Sequence, residues 1–140
     1  LQRPLCLTLR PILIMELIHP VDLPEVAERL ADLLSESVKK AGTRIDYIFE
    51  RIASARSQLW MSEDGVIITE ISQRASERVL WVDWLISGSF DPHKADELLT
   101  SFAAKKGCSA IEFKGRRGWQ KYEKGFEEYK PIATIYRRTV

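Results

Sequence analysis

Two arginines between two glycines, Gly115-Arg116-Arg117-Gly118, are the residues of this 140-residue chain best suited to gripping an anion. Adjacent guanidiniums present a fork of N–H donors that matches a phosphate, and flanking glycines leave the loop free to close on it. The plainer use of such a loop is a basic turn at a strand end. Trp119 follows directly and reads either as a stacking platform or as the anchor of the next helical turn. Upstream, Asp83 stands among Trp81, Val82 and Trp84 in an apolar run, where burial raises a carboxyl pKa unless the side chain turns to solvent. His19 and His93 lie far apart without a partner at ligand or triad spacing, and no metal site is expected. Cys6 and Cys108 also lack metal spacing and read as two reduced thiols, with Cys108 packed at a strand.

The net charge of +1 argues against attraction of the whole surface to nucleic acid. The charge is nevertheless uneven. Residues 105–140 hold ten Lys/Arg against four Glu, whereas residues 1–104 hold eleven against sixteen Asp/Glu, so an anionic ligand belongs in the last third. With 45% hydrophobic and 29% charged residues the composition is that of a globular domain. Residues 1–14, LQRPLCLTLRPILI, are too short and too interrupted by Pro4 and Pro11 to span a bilayer. They read as an extension outside the domain, or as an arm that pairs as an edge strand or docks on another subunit. Residues 15–140 read as one domain.

The elements that must position these groups follow from periodicity. Val26, Leu30, Leu33, Leu34 and Val38 form a helical stripe, with Asp22 as cap and Gly42 as stop. A second helix opens at Thr43, in capping-box spacing with Asp46, and carries Ile45, Ile48, Phe49 and Ile52. Residues 58–61 and 66–71 predict two strands around a turn in which Gly65 supplies a positive φ. Residues 79–86 predict a central strand whose Trp81 and Trp84 point to opposite faces. Asp91-Pro92 opens a helix that buries Ala95, Leu98, Leu99, Phe102 and Ala103 and ends at Gly107. Residues 109–113 then form a strand parallel to 79–86, and residues 132–140 a closing strand entered at Pro131.

From Cys108 to Phe126 a strand, the Gly-Arg-Arg-Gly loop and an aromatic helical turn follow in an order that resembles the last third of GNAT acyltransferases. Tyr122-Glu123-Lys124-Gly125-Phe126 spells that family's Tyr-Glu-Lys-(Leu)-Gly-Phe phrase with one residue missing. Two helices after a first strand are the family's usual opening. The resemblance implies an α+β fold, a GNAT-like mixed, mostly antiparallel central sheet with helices on both faces. It also implies that acetyl-CoA enters where the strand before the central helix and the strand after it diverge, its pyrophosphate on amides at the helix N-terminus. In place of the family's Gln/Arg-x-x-Gly-x-Gly/Ala loop this chain has Ser87-Gly88-Ser89-Phe90-Asp91-Pro92. Gly88 and Ser89 remain as amide donors, Pro92 removes one donor and Asp91 adds a negative charge. On the same resemblance Arg116 and Arg117 are cofactor-binding candidates. Tyr122, a phenol of pKa about 10, matches the acid that protonates the departing thiolate. Glu70 occupies a strand where family members sometimes carry the base, with Asp83 as a second candidate.

Two functions follow. One is an acyl-CoA-dependent N-acetyltransferase of unknown acceptor. The other is a non-catalytic GNAT-fold assembly or interaction protein, since the chain also resembles proteins encoded near virion genes in tailed-phage genomes. That second role implies a protein partner or homo-oligomer through residues 1–14 and an exposed tryptophan, in the host cytoplasm or the virion.

Overall fold

The computed structural model describes residues 15–114, 129–132 and 135–140. The elements are β1 (Glu16–Ile18), a 3-10 turn (Pro20–Asp22), α1 (Leu23–Ala41), α2 (Ile45–Ala53), β2 (Ser57–Met61), β3 (Val66–Gln73), β4 (Arg78–Ile86), α3 (Pro92–Lys105), β5 (Ala110–Lys114), β6 (Lys130–Ile132) and β7 (Ile135–Thr139). Among the described residues, seven strands form one sheet in the order β1-β2-β3-β4-β5-β7-β6. Neighbours are antiparallel except β4 and β5, where Val79–Val82 run parallel beside Ala110–Phe113. A parallel pair needs a crossover, and α3 supplies it. The fold is thus α+β with a mostly antiparallel open sheet, as expected. The single closing strand becomes two, β6 and β7, with Pro131 inside β6. That strand lies at the sheet edge, where a missing N–H is tolerated.

The helices form where the apolar spacing says they should. Leu23, Leu30, Leu34 and Val38 are buried along α1, each burial contributing about 1.5–3 kcal/mol. Gly42 then closes the helix at a φ of 69°, its N–H on the Lys39 and Val38 carbonyls. Two caps differ from expectation. Asp22 makes no side-chain cap bond, and the preceding turn is capped by His19, whose Nδ1 accepts the Val21 N–H at 3.1 Å. The next helix begins two residues after Thr43, so Arg44 takes the N-cap position and donates to Asp46 at 2.7 Å in place of a capping box. At α3 the expected cap is present, with Asp91 accepting the His93 N–H at 2.9 Å.

Strand alternation sorts side chains between two cores. Leu59, Met61, Val66 and Ile68 meet α1 and α2, whereas Trp60, Ile67, Leu80 and Ile111 meet Ala95, Leu99 and Ala103 of α3. Helices therefore cover both faces of the sheet. The alternation breaks once. Ile68 pairs with Trp84 and Thr69 with Val82, leaving Asp83 without a residue opposite it, a β-bulge. The extra residue resets the pleat and corrects the expectation for the tryptophans. Trp81, between Leu80 and Val82 of the α3 core, faces the other side, and Trp84 packs into the core of α1 and α2 on that same side. Gly65 is corrected too. Positive φ occurs at Gly42 and Gly107 among the described glycines, and Gly65 is needed instead because a Cβ there would lie 2.6 Å from the Phe90 ring. No helix among the described residues is long and apolar enough to cross a membrane.

Candidate functional site at the bulge of strand β4

The bulge opens onto a cleft of about 320 Å³ between α2 and the sheet. Its walls are Thr43, Tyr47, Ile48 and Arg51 on the helical side, and Ser57, Ile68, Glu70, Asp83 and Trp84 on strands β2 to β4. Glu70 reaches the cleft because it is two residues from Ile68 on the α1–α2 face of β3. Arg51 reaches it from one turn after Tyr47 on α2. Their guanidinium and carboxylate meet at 2.5 Å, and Arg51 also lies over the Tyr47 ring, 5.8 Å from its centroid. Glu70, the candidate base, is therefore held in an ion pair.

Asp83 has no ion-pair partner among the described residues. Asp83 is exposed at the cleft mouth, yet partial desolvation by the walls, with the Glu70 carboxylate adding repulsion, raises its pKa to about 6 against the smaller opposing charge of Arg51. A carboxyl poised near neutrality can accept a proton or pair with a cation. The structure thus brings Glu70, Asp83 and Trp84 together. Arg51 and Tyr47 were missed at the sequence level because nothing in a helical stripe marks which polar positions border a strand.

Gly88 and Ser89 lie beyond the end of β4, at the entrance of α3, and do not line the cleft. Their surroundings bear on acetyl-CoA. The Ser89 N–H donates to Asp64 Oδ1 at 2.8 Å and the Ser89 hydroxyl to Oδ2 at 2.7 Å. These bonds, the backbone one first, hold the Asp64 carboxyl below its ordinary pKa. With Asp91 capping the helix, two carboxylates stand where a pyrophosphate would need donors and positive potential. The described residues at this entrance do not fit the diphosphate of acetyl-CoA. Arg116, Arg117, Trp119 and Tyr122 lie outside the described residues.

A second constellation was not anticipated. Glu112, only 1% exposed, sits between Arg74 at 2.6 Å and Arg137 at 2.9 Å, and Arg137 also binds Glu77 at 2.5 Å. Ser109 donates to Glu77 at 2.7 Å. This closed set ties the β3–β4 turn to β5 and β7, and its carboxylates are already matched by cations. A larger and more apolar groove, about 420 Å³ between β1 and the end of α3, is lined by Leu17, Ile71 and Phe102 and offers few groups able to do chemistry. No protein-family model matches the chain, and no curated protein is significantly similar to it.

Proposed function

We propose that this chain is a GNAT-like domain used for recognition, whose cleft at Asp83 holds an ammonium group presented by a protein partner. The observation that carries this reading is the mismatch in the cleft: of two carboxylates only Glu70 has a cation, and Asp83 is left to take one. An ammonium there donates N–H bonds to Asp83, and Trp84 beside it on the strand side supplies an aromatic face that favours a cation. The element order, with a helix between two parallel strands, supports the GNAT-like assignment that the sequence implies. Virion assembly, implied by the resemblance to phage-encoded chains, is a setting that provides such partners. Titration calorimetry with a lysine-containing peptide and its Nε-acetylated twin tests the reading. The unmodified peptide should bind saturably and its twin should not, and Asp83→Asn should weaken binding at least about tenfold. Equal binding of the two peptides sinks it.

A second reading, an acyl-CoA-dependent N-acetyltransferase, is favoured by one observation. Strand β4 keeps its pairing with β3 to Ile86 but its pairing with β5 stops at Val82 and Phe113, immediately before the bulge. A carboxyl of pKa about 6 at such a parting suits removal of a proton from an acceptor amine. The acyl donor would depend on Arg116, Arg117 and Tyr122, because the entrance of α3 does not supply its phosphate site. Release of free thiol from acetyl-CoA that saturates with an amine and is lost in Asp83→Asn would replace the recognition reading with this one.

A further inference from the structure

We propose that Asp64 is an internal substitute for an anionic ligand at the entrance of α3, so that the β4–α3 turn binds the chain's own β2–β3 turn and refuses phosphorylated molecules. The start of a helix exposes N–H groups without partners and carries a partial positive charge, which together attract anions. Here three donors at this entrance, the His93 N–H and the N–H and hydroxyl of Ser89, have been given carboxylates of the same chain. Asp91 takes the His93 N–H from within the turn. Asp64, twenty-five residues before Ser89, takes both of that residue's donors with its two oxygens, a bidentate grip of the kind a phosphate makes.

The contact is built on both sides. A Cβ on Gly88 would stand 2.8 Å from the backbone carbon of Asp64 and from the Gly65 nitrogen, so the two backbones meet where only glycine allows it. The Phe90 ring, buried in the α3 core, lies against Gly65, and the Ser62 hydroxyl accepts the Gly65 N–H at 2.9 Å. Glycine at this turn thus brings the backbone up to a protein carboxylate instead of a soluble phosphate. A tethered carboxylate acts at high effective concentration, and a free diphosphate must displace it while facing the charge of Asp91.

The test compares the wild-type chain with Asp64→Ala by calorimetry and thermal shift, using inorganic pyrophosphate and acetyl-CoA as separate probes. The wild type should show no saturable binding of either. Asp64→Ala, checked for native circular dichroism, should gain pyrophosphate binding at least about tenfold tighter than wild type, because two donors are released and one charge is removed. If Asp64→Ala does not fold, Asp64→Asn tests the charge alone, since it keeps an acceptor for the Ser89 N–H, and a smaller gain in pyrophosphate binding over the wild type is then expected. Saturable pyrophosphate or acetyl-CoA binding by the wild type that shifts the Ser89 amide resonance overturns the proposal. So does a folded variant as indifferent to pyrophosphate as the wild type.

Discussion

Glu70 and Asp83 face one cleft from adjacent strands, and the guanidinium of Arg51 sits 2.5 Å from the first while no ion pair among the described residues reaches the second. Two carboxyls in one small space cannot both be comfortable as anions unless each is compensated. The chain compensates one. The other is left with a proton affinity that depends on its neighbour, and this coupling gives the cleft a measurable signature even before any ligand is known.

The first expected signature is in stability. Asp83 titrates at about 6 in the folded chain, above its ordinary value of 3.8, so the folded state binds this proton more tightly than the unfolded state does. The resulting penalty is absent below about pH 4, grows as pH rises, and is complete above pH 6. Replacing Asp83 with Asn should therefore stabilise the protein at pH 7, on the order of 1 kcal/mol once solvent screening of this partly exposed group is allowed for, and leave it unchanged at pH 4. Urea denaturation at the two pH values measures this. An equal effect at both would show that Asp83 is not desolvated.

A second signature separates the roles of Glu70 and Arg51. Glu70→Gln removes the repelling charge and should lower the pKa of Asp83 toward the ordinary carboxylate range. Arg51→Ala removes the cation and should raise it further. Carbon-13 titration of the Asp83 carboxyl reads both directions in one experiment. Shifts of the same sign in the two variants would mean that the two carboxyls do not sense each other.

Much of this framework is legible from sequence because burial imposes period. The stripe through Leu30, Leu34 and Val38, the Asp91 cap and the parallel placement of residues 79–82 beside 110–113 all follow from spacing and connection rules. The bulge does not. In Val79-Leu80-Trp81-Val82-Asp83-Trp84-Leu85-Ile86 both faces are apolar, so an inserted residue leaves no break in the alternation by which to see it. Tyr47 and Arg51 were hidden for a related reason, since a polar helix face looks alike whether it meets water or a strand. Asp64 and Ser89 were unreadable because a contact across twenty-five residues depends on how two turns dock, which no local rule encodes. Nothing local marks Glu112 in its strand, and only the sheet order brings Arg74 and Arg137 to it.

That ionic set should dominate the response to acid and to truncation. Removing one member of a buried, matched group leaves the others uncompensated, so Glu112→Ala should cost about 3 kcal/mol or more by chemical denaturation. Glu77 titrates at about 2, held down first by its hydrogen bonds from Arg137 and then from Ser109. A depressed carboxyl contributes stability that is complete above its unfolded pKa and is lost as pH falls through its folded one. The wild type should consequently lose stability between about pH 4.5 and pH 2 more steeply than Glu77→Gln does. Parallel pH profiles would show that the pair is a surface contact without energetic consequence.

Gly42 and Gly88 are both required, and for different reasons that substitution can tell apart. Gly42 has a φ of 69° with nothing within 4 Å of the position a Cβ would take, so its constraint is conformational alone. Gly42→Ala should cost about 1 kcal/mol, and Gly42→Asn should recover part of it, because asparagine tolerates the left-handed region. Gly88 is not forced into that region, and its constraint is space: an added methyl meets the backbone of Asp64 and Gly65, neither of which can swing aside as a side chain would. Gly88→Ala should therefore cost about 1–3 kcal/mol, and Gly88→Asn, which is larger, should cost more. Melting temperatures of the four variants decide the matter. An asparagine rescue at residue 88 as well as at residue 42 would mean that the β4–α3 turn is free of the β2–β3 turn, and that Asp64 does not hold the two together.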